Sequence, residues 1–231
     1  MDLVRLYSDA QARVIDLVTP LSPPALATWV PGTPRWRIEQ LVAHLTGVAA
    51  DMADGNSEGA ATEPWTTRQV EARQGRLLAD LVAEWCRRTP EVLELLATPG
   101  RVDACAFDLL THEHDVRGAL GLAGPSDPDA VKAVTERVTQ RLNHLVGKNG
   151  LPALRLVNDN DAWVCGSGDV VVTGVATTTE WFRSLFGRRS AGQILTYTWE
   201  GDPTPYFGIF NLFGPLPPAD VAEAGAPAPG V

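Results

Sequence analysis

The chain has 231 residues, with 19 Lys and Arg against 28 Asp and Glu, a formal charge of -9 and a pI near 4.9. At roughly 150 residues per domain this is one large domain, or a medium one and a small one. The basic residues form nothing longer than the pairs Arg87-Arg88 and Arg188-Arg189, so a nucleic-acid partner is not expected. Cys86, Cys105 and Cys165 are odd in number and far apart, which suggests neither a disulfide framework nor a cysteine zinc knuckle. MDLVRLYSDAQARVIDLV carries charge from its second residue and lacks the apolar stretch of a signal peptide. No window approaches 18 apolar residues, so no membrane partner is expected either. The default expectation is a soluble cytoplasmic protein.

The first two thirds of the chain read as helix. Leu3, Leu6, Tyr7, Ala10, Val14, Leu17 and Val18 fall at helical spacing over residues 3–18, and Thr19-Pro20 ends the run. After a short turn, Thr33-Pro34 reads as a cap and proline start for a second helix through Asp51, with Ile38, Leu41, Val42, Leu45 and Val48 as its stripe. A polar loop occupies 53–65. One long helix is expected over 67–97, kinked or split at Thr89-Pro90, and another over 102–120. A fifth, over 128–146, starts behind the cap Asp127.

At Leu151 the texture changes. LPALRLVNDNDAWVCGSGDVVVTG alternates, is rich in valine and carries two turn candidates, which predicts two or three strands. TTTEWFRSLFGRRS predicts a helix, and QILTYTWEGD a strand ending at Gly201. The proline- and alanine-rich tail has no periodicity and reads as disordered. The expected class is α+β: a helical domain over 1–150, a small α/β domain over 151–215, and a disordered tail over 216–231.

Histidine is scarce, with four residues: His44, His112, His114 and His144. In FDLLTHEHDVRGALG, Asp108 precedes His112 by four residues and Asp115 follows it by three, so all three project from about one side of a helix. That spacing brings a carboxylate and an imidazole within reach of one metal ion. His44, on the apolar stripe of the second helix, is the available third ligand if the two helices face each other. Two histidines and one carboxylate make an open site of the catalytic zinc type, with Asp115 holding an imidazole or a water. The same residues also fit a local helix contact and a satisfied core histidine. His114 points off that face and reads as exposed. Cys86 and Cys105 read as small hydrophobes, and Cys165 as partly exposed. Trp29, Trp36 and Trp85 read as bundle packing.

Three segments together resemble the mycothiol-dependent maleylpyruvate isomerase family. PGTPRWRIEQLVAHLTG is similar to its first signature: proline, tryptophan, then Leu-Val-x-His-Leu. DLLTHEHDVRGALG is similar to the second, an acidic residue, a histidine four on and an aspartate three beyond. TTTEWFRSLFGRRS and EGDP resemble the helix and closing strand of the C-terminal domain. The resemblance covers about residues 5–213.

It implies a DinB-like four-helix bundle followed by a small α/β domain. It implies a divalent metal, zinc foremost, on His44, Asp108 and His112, with aspartate at 108 where the characterised isomerase has glutamate. It assigns Arg188 and Asp115 catalytic roles, and Arg188 with Arg189 the contact to an anionic substrate or the cofactor. Both arginines also fit the favourable charge at a helix C-terminus. The cofactor implied is mycothiol, a low-molecular-weight thiol presented as a metal-bound thiolate to a small electrophile. The activity is then that of an isomerase or an S-transferase. A DinB-type hydrolase that activates water and a non-catalytic ligand-binding or regulatory protein stand as alternatives. Monomer and homodimer stand level.

Overall fold

A computed structural model describes residues 1–98, 103–158 and 160–227. The chain divides into two compact units, Met1–Leu122 and Ala123–Val231. In the first unit four helices surround one core: α1 (Leu3–Val18), α3 (Ile38–Ala53), α5 (Leu78–Leu96) and α6 (Asp103–Ala119). Helix α1 packs on α5 and α6, and α3 packs on the same two, which closes the ring of a four-helix bundle. Val14, Val18, Leu41, Val42, Trp85, Leu109 and Leu110 are almost wholly buried inside it. Two shorter helices, α2 (Pro23–Leu26) and α4 (Glu63–Glu71), lie against α3.

Two helix boundaries differ from the sequence expectation. The second major helix starts at Ile38, behind Arg37, and not beside Pro34. Residues 28–38 instead close a small loop in which Val30 N donates to Trp36 O at 3.0 Å and Ile38 N donates to Thr28 O at 3.0 Å. Gln40 Oε1 accepts from Arg37 N at 2.9 Å and takes up one of the free amides at the helix start. The long helix expected over 67–97 is two helices, α4 and α5, and the break falls at Gly75 rather than Pro90. Gly75 has φ +74, a left-handed conformation that ends a helix at no steric cost. Pro90 lies inside α5, exposed, where water can satisfy the carbonyl it leaves unpaired.

The second unit begins with α7 (Pro128–Lys148), whose cap Asp127 accepts from Ala130 N at 2.9 Å. It was expected to close the helical domain at 150. By its contacts it groups with the second unit, packing on the strand Ala162–Cys165, the helix Thr178–Leu185 and the 3-10 turn Thr204–Ile209. The strands are β1 (Ala153–Val157), β2 (Ala162–Cys165), β3 (Val170–Val175) and β4 (Thr198–Glu200), in sheet order β2-β1-β3-β4. β1 pairs antiparallel with β2 and parallel with β3, and β4 closes the edge antiparallel to β3.

Helix α8 (Thr178–Leu185) follows β3, as expected. The strand expected from Gln193 starts only at Thr198, because a short helix α9 (Ala191–Leu195) precedes it. Its cause is a capping box that the strand reading passed over. Ser190 Oγ accepts from Gln193 N at 3.0 Å, and Gln193 Oε1 accepts from Ser190 N at 3.1 Å.

The tail, read from its composition as disordered, makes specific contacts over its described residues. Val221 is buried, and its backbone is held on both sides by Gln193: Oε1 accepts from Val221 N at 3.0 Å, and Nε2 donates to Val221 O at 3.1 Å. Glu223 then receives Arg183 at 3.0 and 2.7 Å and Arg189 at 2.6 Å. Two buried guanidinium groups need a carboxylate, and the tail supplies it. Residues 228–231 lie outside the described residues.

Candidate metal centre

Helix α3 is buried over much of its circumference, with His44 on the face that α4 and α6 cover. Helix α6 presents Asp108 and His112 one turn apart on the side facing α3. The two helices bring the three side chains together. Asp108 Oδ1 lies 3.3 Å from His112 Nε2, and Asp108 Oδ2 lies 3.4 Å from His44 Nε2. Each residue offers one ligand atom, and all three atoms fall within 4.8 Å of one another.

Both imidazoles are held from behind. His112 Nδ1 lies 2.9 Å from Asp115 Oδ2, and His44 Nδ1 lies 2.8 Å from Gln69 Oε1. With Nδ1 engaged outward on each ring, both Nε2 atoms face the Asp108 carboxylate. Trp36 lies over the pair, its ring centroid 4.7 Å from that of His44 and 6.1 Å from that of His112. Trp65 closes another side, edge-on to His44 at 6.4 Å.

The electrostatics follow from burial set against charge. Burial alone would raise the Asp108 carboxyl, but the imidazole of His112 and the contacts from both histidines hold it well below the usual carboxylate range. Burial pulls His44 down, and its contact with Asp108 does not make up the difference. Burial acts on His112 in the same sense, yet Asp108 and Asp115 together push it up.

The donor set fits a divalent cation. Asp108 Oδ2 is sealed from solvent and accepts no hydrogen bond of proper geometry. Such an acceptor costs stability unless something pairs with it, and here two imidazole nitrogens converge on the same carboxylate.

Comparison with known proteins extends this geometry. Residues 7–143 match the family model described as the mycothiol maleylpyruvate isomerase N-terminal domain, which is more than half of the chain. The chain belongs to this family. No curated protein matches it. Among solved structures, it resembles a mycothiol-dependent maleylpyruvate isomerase at TM-score 0.54 and 12% identity, covering 85% of this chain and 91% of that one. A histidine-to-alanine mutant of a mycothiol-dependent maleylpyruvate isomerase matches at TM-score 0.55 and 11% identity over the same shares. At such identities the likeness speaks for the fold. Its share of the chain takes in both the DinB-like bundle and the small C-terminal unit, and the fold is of the α+β class.

Other residues singled out in the sequence of this family member fall as follows. Asp115 is fully buried and meets the cluster through His112, its Oδ2 on His112 Nδ1 at 2.9 Å. Arg188 is buried in the second unit and donates to Phe186 O at 2.8 Å. Arg189 is ion-paired with Glu180 at 2.6 Å and with Glu223 at 2.6 Å, and donates to Arg188 O at 2.7 Å. Its donors are engaged inside the fold.

His114 lies apart from the cluster, as expected, but it is buried, with Nδ1 2.9 Å from Leu110 O. Cys86 is exposed and Cys165 is buried, the reverse of the sequence reading. Of the tryptophans, Trp85 packs inside the bundle with Nε1 on Tyr7 Oη at 2.9 Å, while Trp29 is exposed beneath the Arg37 guanidinium. Sequence reasoning missed Gln69 and Asp51 altogether, and took Trp36 for packing. A glutamine in a polar helix carries no local sign of which ring it will face.

Proposed function

We propose that this chain is a metal-dependent enzyme that uses a low-molecular-weight thiol, mycothiol, as an isomerase or S-transferase on a small electrophile. The observation that carries the reading is the convergence of His44 Nε2, Asp108 and His112 Nε2 within 4.8 Å. The family membership supports the same chemistry. His44, Asp108 and His112 would hold the ion, and three protein ligands would leave a position open for an exogenous group. When bound, such an ion lowers the pKa of a coordinated thiol and presents a thiolate at neutral pH.

The chain's own residues then have three tasks. Asp115 and Gln69, each on an Nδ1, would leave the two Nε2 atoms to hold such an ion. Trp36 and Trp65 restrict water around the ligands, which strengthens electrostatic interactions there. Arg188 is carried into the proposal by the family resemblance, as the cation that meets an anionic substrate. The shorter arm of aspartate at 108 suits the site as built, since its two oxygens divide between the two imidazoles.

The test is the metal content of protein purified without chelator, beside His44→Ala and Asp108→Ala. Near-stoichiometric divalent metal that is lost in both variants is expected. Thiol-transfer and isomerisation assays with and without mycothiol then follow. Turnover without thiol would point to activated water and hydrolysis instead. A wild type that takes up no metal, even with zinc supplied, would overturn the reading in favour of a non-catalytic binding protein.

A further inference from the structure

The contacts behind His44 form a chain of three groups in which each fixes the next. Gln69 is buried and stands between His44 and Asp51, which lies two turns further along α3 on the same face as His44. Gln69 Nε2 donates to Asp51 Oδ2 at 2.7 Å, and Gln69 Oε1 lies 2.8 Å from His44 Nδ1. An ionised carboxylate only accepts, so the Gln69 amide must turn its NH2 toward Asp51. Flipping the amide would set two oxygens against each other at 2.7 Å. The amide oxygen is therefore committed to His44, and only a protonated Nδ1 satisfies it. Asp51 is fixed in turn, because its Oδ1 accepts from Asn56 Nδ2 at 3.0 Å.

We propose that Asp51 and Gln69 are positioning residues that keep a proton on His44 Nδ1, so that Nε2, which faces Asp108 at 3.4 Å, is the nitrogen left to a cation. The proposal rests on the reading of His44 as a metal ligand, and it adds the groups that make His44 competent before any ion arrives.

Gly47 completes the device. It lies one turn from His44 and one turn from Asp51, where α4 crosses. A Cβ built on Gly47 would stand 2.5 Å from Gln69 Cβ and 2.7 Å from Gln69 Cγ, closer than real contacts allow. The missing side chain is what lets α4 approach near enough for Gln69 to reach both partners. The tautomer of His44 is thus written into three residues of the α3–α4 interface.

The test uses the full chain freed of metal by chelation, with nitrogen-detected NMR of the histidine rings and zinc titration as separate readouts. The wild type is expected to show His44 as Nδ1–H. In D51N, the Asn56 amide holds the introduced carbonyl and turns the new NH2 toward Gln69. Gln69 then flips and donates to His44 Nδ1. The expected result is a shift to Nε2–H and zinc binding weaker by about 10- to 100-fold. The double variant D51N/Q69E restores an acceptor behind His44 with a donor behind that, and is expected to recover both the tautomer and most of the affinity. G47A should weaken zinc binding in the same direction as D51N.

A wild type in the Nε2–H form overturns the proposal, as does a D51N variant that keeps both tautomer and affinity. The metal reading fails differently. There the wild type shows Nδ1–H and D51N shifts it, but no zinc binds to either, and the tautomer lock stands without its ion.

Discussion

Asp115 Oδ2 lies 2.9 Å from His112 Nδ1, on the next turn of the same helix, and the carboxylate is sealed from water. This pair does for His112 what Gln69 does for His44, with a full negative charge in place of an amide. The charge should make the ring a stronger ligand. Asp115→Asn can still accept from Nδ1–H but loses the charge, so zinc affinity should fall by roughly tenfold. Asp115→Ala, which leaves Nδ1–H without its acceptor, should cost up to about 100-fold. Competition titration with a chromophoric chelator measures both, and equal affinities for wild type and Asp115→Ala would refute the assignment.

The tail is structural. Glu223 bridges Arg183 and Arg189, whose side chains are almost wholly buried. Removing one partner from a buried ion pair costs about 3–5 kcal/mol, because the other charge is left uncompensated. Glu223→Ala and truncation after residue 219 should each lower the urea midpoint strongly and by similar amounts. A truncated chain as stable as the full one would show that the two arginines find other acceptors.

Stability should also depend on pH through Glu84. Burial by itself would raise this carboxyl, but hydrogen bonds from Arg73 and Arg76 hold it below its usual value. The folded pKa is therefore lower than the unfolded one, near 4.5. Its contribution is present above the unfolded value and is lost as the pH falls through the folded value. Glu84→Gln should destabilise the protein by about 1–2 kcal/mol at pH 7. Urea titrations should show that difference shrinking below the ordinary carboxylate range, and a penalty that does not vary with pH would contradict the assignment.

Thiol labelling should single out one cysteine. Burial pushes both Cys105 and Cys165 up to about 12, so almost no thiolate forms on either at pH 8. Cys86 is exposed. A maleimide or an aromatic disulfide should modify Cys86 promptly in the native protein and reach the other two only after unfolding. Mass spectrometry of the digested protein gives the answer directly. Fast native labelling of Cys165 would mean that the β2 edge opens readily.

The local periodicities settled a good deal. The stripe over residues 3–18 gives α1 with its observed bounds, and the cap Asp127 marks the start of α7. Asp108, His112 and Asp115 share one face of α6 because the helical period alone puts them there. The scarcity of histidine singled out His44. Boundaries failed where a competing local interaction prevailed: the loop closed by Val30 and Trp36 at the start of α3, the left-handed Gly75, and the Ser190–Gln193 box that made a helix from an expected strand.

What the sequence alone determined, then, is which residues carry donor atoms and which of them share an element, since both depend on spacing within a few turns. It could not supply the partners across elements. Gln69 behind His44, Trp36 over both imidazoles and Glu223 on two arginines are joined by packing between segments far apart in the chain. Those pairings turn on how closely two surfaces approach, and at Gly47 the approach depends on a side chain that is not there.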